Sequence, residues 1–232
     1  MITPTEKPKT QNEIKMNIPE SNKLHMNNYD IAENLPAESW WRQLCEVSPG
    51  IYVSGDLHHD KTCAEKQLDK WRKEELTHIV DCREEWNDSK IVKHYAPEIT
   101  YWHIGTHDNG GVQEFDWFDK GTDLIEEALL VPNSKILIHC HMGVNRAPSM
   151  AFAALLRSGK GIVESLDAIR SARPIAAIMY AESALIWHGL KNNWSHKDIE
   201  SGIREIHAWH RNNRIDIGWI ISRIRSNEQV VV

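Results

Sequence analysis

Cys140 stands between His139 and His141 where an apolar run ends, in the stretch ILIHCHMGVNR that closes at Arg146. Three chemistries fit a cysteine in that place. A buried structural thiol is the ordinary occupant of a strand end. A metal centre needs three or four ligands in tetrahedral reach, and adjacent His139, Cys140 and His141 cannot all face one ion because strand side chains alternate. His58, His59, His94, His103 and His107 offer no ligand spacing either. The third chemistry, nucleophilic attack, accounts for the residues that follow. His141, Met142, Gly143, Val144 and Asn145 form a turn whose backbone N–H groups can converge on an anion, and Arg146 brings a planar fork able to grip two phosphate oxygens. The positive end of a helix starting near Ala147 would add to that field and lower the thiol pKa. Together these features suit in-line attack of sulfur on a bound phosphoryl group, giving a cysteinyl-phosphate.

Such a loop must be delivered by a strand and continued by a helix. KILIHC (135–140) is an unbroken apolar run suited to a central strand covered on both faces. Beyond Arg146, Pro148 fits a first helical turn and Gly159 can close the helix. Further strands are expected at Ile51–Val53, 77–82 and 99–105, and helices from Thr62 (as N-cap) to about Glu74, over 114–130, and through IVESLDAIRSAR up to Pro174. The alternation predicts an α/β domain: a central, mainly parallel twisted sheet flanked by helices, with a helical C-terminal appendage. Residues 1–37 read as a polar disordered arm, 38–190 as the domain and 191–232 as the appendage. In the appendage Ser195 can start a helix. Ile199, Ile203, Ile206 and Trp209 follow one face, and Ile217, Ile220, Ile221 and Ile224 form a second set. Those stripes are expected to pack on the domain, or to serve a partner or dimer contact.

Composition narrows the classes. A net charge of −6 and a pI near 6.1 argue against a broad nucleic-acid surface. The N-terminal stretch lacks the apolar region of a signal peptide, and no run approaches membrane-spanning length. Cys45, Cys63, Cys82 and Cys140 lie far apart without a C-x-x-C pair, as expected of reduced cytoplasmic thiols.

The segment HCHMGVNRAPS resembles the His-Cys-x-x-Gly-x-x-Arg signature of the cysteine-based protein phosphatases, specifically the dual-specificity branch. GIYVSGD, LTHIVDCREE, ITYWHIGTHDN, KILIHC and RSARPIA fall in that family's order, so the resemblance covers roughly residues 48–190. It implies Cys140 as nucleophile, Arg146 as phosphate clamp, and Asp108 in GTHDNGG as the general acid that protonates the leaving oxygen and later activates water. Asp116 and Asp119 are secondary candidates for that role. His139 is expected to sit beneath the loop and orient it by hydrogen bonding. No cofactor or metal is implied. The expected substrate is a phosphorylated protein, on tyrosine and also serine or threonine.

Ala147 departs from the Ser or Thr that many relatives carry after the arginine. Without that hydroxyl the cysteinyl-phosphate should accumulate, unless Ser149 or a backbone group substitutes. Cys82, in IVDCREEW, reads as a core strand residue. Its strand also resembles one that in lipid-directed relatives bears a cysteine able to form a disulfide with the nucleophile. The same strand resembles the opening of a rhodanese domain, but sulfur transfer gives no reason for the Arg146 spacing. Three alternatives stand beside the protein phosphatase. The GVNR segment is similar to RNA 5′-triphosphatases. Phosphoinositide phosphatases usually place lysines in a loop that here has none. A slow-turnover, pseudophosphatase-like phosphate binder is compatible with Ala147.

Overall fold

Ile136–His139 is buried at every position, which demands neighbours on both edges and cover on both faces. The computed structural model, which describes residues 40–229, supplies both. The strands are β1 (Cys45–Ser48), β2 (Ile51–Ser54), β3 (His78–Arg83), β4 (Thr100–Thr106) and β5 (Ile136–His139), in the order β1-β2-β5-β3-β4. β5 pairs in parallel with β2 and β3, and β3 in parallel with β4; among the described residues only the β1–β2 pair is antiparallel. The mainly parallel α/β sheet is therefore as expected.

The helices are α1 (Lys61–Lys73), α2 (Ser89–Tyr95), α3 (Phe115–Leu129), α4 (Arg146–Arg157), α5 (Ile162–Ala172), α6 (Ala181–Lys191), α7 (His196–Asn212) and α8 (Ile217–Gln229). Alternation along the strands sorts the core into two layers. Leu137 and Ile79 face α1 and α2, where Leu68, Trp71 and Val92 pack. Ile136, Ile138 and Val80 face the other helices through Phe118, Phe152, Leu166 and Leu185. Helix α4 is buried from Arg146 through Leu156, so it is the central helix of that layer. It ends in a Schellman motif: Lys160 N bonds Leu155 O, Gly159 N bonds Leu156 O, and Gly159 takes φ +87°.

Some elements differ from the sequence reading. Helix α1 is capped by Asp60, whose Oδ1 accepts from Cys63 N at 2.9 Å, and Thr62 lies inside the first turn. A carboxylate at that position also meets the helix dipole, which a hydroxyl cannot match. Strand β1 and helix α2 are too short to show a period, and α6 is apolar around most of its surface, so all three escaped the reading. Ser195 does cap α7, accepting from Asp198 N at 3.2 Å. Ile199, Ile206 and Trp209 are buried in the domain, while Ile220 and Ile224 of α8 are buried with Trp40, Trp41, Val144, Ile175 and Ala177. The inner faces of both C-terminal helices are thus covered by this chain. No helix among the described residues is long and apolar enough to cross a membrane. The arm at 1–37 lies outside the described residues.

Candidate active site

Strand β5 carries the chain to Cys140, buried to 1%, and the loop 141–145 curls back to start α4 at Arg146. The loop is held from outside by its carbonyls. His141 O accepts from Asp56 N at 3.0 Å, and Val144 O from Ala177 N at 2.6 Å. Buried Arg173 takes the two between, Met142 O through Nη2 at 3.0 Å and Gly143 O through Nε at 2.5 Å. In a trans peptide the N–H opposes the C=O. Tying four successive carbonyls outward therefore turns the N–H groups of Met142, Gly143, Val144 and Asn145 inward, as an anion nest requires. Among the described residues none of these N–H groups donates to a backbone carbonyl. Gly143 adopts φ +61°, and a Cβ there would lie 2.5 Å from Ser54 O, so only glycine fits.

Arg146 sits at the base of the nest. Its Nη1 and Nη2 each donate to Glu85 at 2.6 Å, Nη1 also reaches Thr106 O at 3.0 Å, and Nε lies 3.4 Å from Asp108 Oδ2. Nε is buried and, among the described residues, has no hydrogen-bond partner of good geometry, an orphan donor on the side of the fork that Glu85 leaves free. Asp108, on the loop after β4, also accepts from Asn145 Nδ2 at 2.7 Å and from the Tyr180 hydroxyl at 3.0 Å. The structure thus brings Cys140, Arg146 and Asp108 to one place. Asp119 is elsewhere, accepting from Trp187 and pairing with Lys191, and Asp116 lies in the first turn of α3.

Beneath the nest lies a charged layer. Asp56 receives Arg42, Arg83 and the Nδ1 of His141, the last at 2.7 Å, and Arg83 bridges Asp81 and Asp88. That hydrogen bond to the Asp56 carboxylate raises the His141 pKa against the opposing effect of burial. Burial works against ionised Asp81, but His139, Arg83 and Tyr101 outweigh it and hold its carboxyl at about 2. His139 is fully buried beneath the loop, yet among the described residues neither ring nitrogen has a hydrogen-bond partner; Nε2 is 3.8 Å from Asp81 Oδ2. The hydrogen-bonding role expected of His139 is therefore replaced by packing beside Trp71 and by the field of Asp81. None of the clusters of ligating side chains among the described residues includes Cys140.

Two further expectations change. Burial pushes the Cys140 thiol up, outweighing Arg146 and the N–H groups of Ala147 and Gly143, which pull it down; Asp108 adds to the rise. The lowered thiol pKa expected from the loop is not what results, because burial outweighs the pull of Arg146 and of the loop's N–H groups. Ser149 does not serve the sulfur: its hydroxyl donates to Asn145 Oδ1 at 3.3 Å and accepts from Tyr180 N at 3.2 Å. The backbone N–H of Ala147 stands in that role. Cys82 is a fully buried free thiol one position past the last register pair of β3 and β5, Asp81 with His139, which sets it beside Cys140.

A model of the dual specificity phosphatase catalytic domain matches residues 59–183. The chain belongs to the dual-specificity phosphatase family. Within that family, dual specificity protein phosphatase 26 of Homo sapiens is 29% identical over 132 residues, covering 56% of this chain and 59% of that protein. The match spans less than two thirds of that relative's length. Among solved structures, human DUSP28 superposes with a TM-score of 0.52 at 16% identity, over 64% of this chain and 95% of that one. PTPMT1, in complex with PI(5)P, gives 0.52 at 17%, over 69% and 97%. At these identities the likeness carries the fold. In this family member α7 and α8 lie beyond the matched residues.

Glu85, Arg173 and Tyr180 escaped the sequence reading. Glu85 follows a strand end in an acidic pair, a faint signal. Arg173 and Tyr180 reach the site through folding alone.

Proposed function

We propose that this chain is a cysteine-dependent phosphatase that hydrolyses phosphomonoesters on proteins, at phosphotyrosine and at phosphoserine or phosphothreonine. The observation that carries the reading is the preformed nest: four carbonyls of 141–144 tied outward around a buried Cys140, with the Arg146 Nε orphaned beside it. A phosphate seated there would take the inward N–H groups and Nε, placing phosphorus over Sγ. Cys140 gives its proton to a non-bridging oxygen of the bound phosphate and the thiolate attacks; the S–P bond forms as the P–O bond breaks, and protonated Asp108 gives its proton to the departing oxygen. Water then attacks phosphorus, Asp108 takes its proton, and the S–P bond breaks to release phosphate and the thiolate.

The raised Cys140 thiol favours slow turnover. The asparagine of GVNR, which prompted the RNA alternative, binds Asp108 and Met179 N. Turnover of an aryl phosphate, lost in Cys140→Ser, tests the enzyme. Rates on phosphotyrosine and phosphothreonine peptides, phosphoinositides and 5′-triphosphate RNA choose the substrate. Binding of phosphopeptide without any Cys140-dependent turnover would overturn the reading in favour of a phosphate-binding module.

A further inference from the structure

We propose that Asn145 and Tyr180 are positioning residues that aim Asp108, saturating its Oδ1 so that Oδ2 is the oxygen that gives and takes the proton. The inference rests on the acid role proposed for Asp108. The Asn145 amide orientation is fixed by its partners. Met179 N donates to its oxygen at 2.8 Å, so the atom 2.7 Å from Asp108 Oδ1 is the amide nitrogen, a donor. Tyr180 is oriented in the same way. Gly110 N donates to its hydroxyl oxygen at 3.2 Å, and the hydroxyl hydrogen goes to Asp108 Oδ1 at 3.0 Å, nearer than His107 O at 3.4 Å. The Tyr180 ring is buried to 1%, and its backbone N is bonded to Ser149 Oγ, so the hydroxyl is presented from a fixed frame. Burial raises the Tyr180 pKa, which keeps it a donor.

With two donors on Oδ1, a proton on Asp108 belongs on Oδ2. That oxygen lies 3.4 Å from Arg146 Nε, on the side where a bound phosphoryl group and its leaving oxygen would sit. One side chain of the phosphate loop and one from the segment before α6 thus set the acid loop's geometry. They raise the fraction of encounters in which proton transfer keeps pace with P–O cleavage.

The test is a series of aryl phosphates whose leaving phenols span low to high pKa, assayed with the full chain, Tyr180→Phe, Asn145→Ala and Asp108→Asn. General acid catalysis is worth about 10²-fold or more for a poor leaving group and little for a good one. Tyr180→Phe and Asn145→Ala should therefore each lower kcat/KM, which reads formation of the cysteinyl-phosphate, about tenfold on the poorest leaving group. On the best leaving group Tyr180→Phe, which lies outside the nest, should change it less than about twofold, tracking Asp108→Asn at smaller amplitude. Loss by the same factor on every substrate would mark a structural role and overturn the proposal, as would no loss at all. If Asp108→Asn shows no leaving-group dependence, the acid role of Asp108 fails, and the proposal fails with it. If Asp108→Asn shows it and the other two variants do not, only the positioning role fails.

Discussion

Glu85 decides how much charge Arg146 can lend to its neighbours. The ion pair with Arg146 holds the Glu85 carboxyl at about 2, against the opposing effect of burial, so the pair persists through the whole neutral range. The pairing fixes the fork and sets an opposing carboxylate on the cation whose field pulls the Cys140 thiol down. Glu85→Gln should uncover that field and lower the thiol pKa. Alkylation of Cys140 by iodoacetamide at pH 6–7 should then run several-fold faster than in the wild type, while KM for an aryl phosphate rises because the fork is loosened. Equal alkylation rates would show that burial alone controls the thiol. At Ala147 the sulfur receives only a backbone N–H, so a cysteinyl-phosphate burst is expected before slow steady-state release. Ala147→Ser should shrink the burst and raise the steady-state rate; absence of a burst in the wild type counts against this. At this scale Cys140, Gly143 and Arg146 were legible because one loop carries them in sequence. Glu85, Arg173 and Tyr180 were not, since they lie 61, 30 and 72 residues from the groups they bind.

Strands β3 and β5 place Cys82 beside Cys140 because they run parallel in register through Asp81 and His139. Neighbouring strands lie about 4.8 Å apart, within the Cα separation a disulfide accepts. Both thiols are buried and pushed up in pKa, Cys82 chiefly by burial and Cys140 likewise, so oxidation should need opening of the site. Peroxide treatment is expected to give an 82–140 linked peptide by mass spectrometry, with activity restored by dithiothreitol. Irreversible loss of activity without that peptide would exclude the bridge. The elements themselves were mostly legible. Unbroken apolar runs marked the central strands, and Gly159 closed α4 as its position suggested. Helix α6 was not, because it is buried on most of its surface and shows no polar face.

For the molecule as a whole, stability in acid should depend on the charged layer under the nest. Asp81 is held at about 2 in the folded state, below the value near 3.9 of an unfolded aspartate. Its contribution is therefore present above about pH 4 and lost as pH falls toward about 2, about 2 kcal/mol in all. Urea denaturation should show that the wild type loses its advantage over Asp81→Asn across that window. A difference that stays constant from pH 4 to pH 2 would refute the assignment. The α/β architecture was legible from the alternation of strands and helices. The way α8 closes over the loop was not, because its apolar set predicts burial without naming the surface that buries it.

That closure has a mechanical meaning. Ile220 and Ile224 pack with Val144, and Glu228 pairs with Arg42, which pairs with the same Asp56 that holds His141. Helix α8 is thus a brace on the loop that follows Cys140, and strain applied to that helix would be felt beside the cysteine.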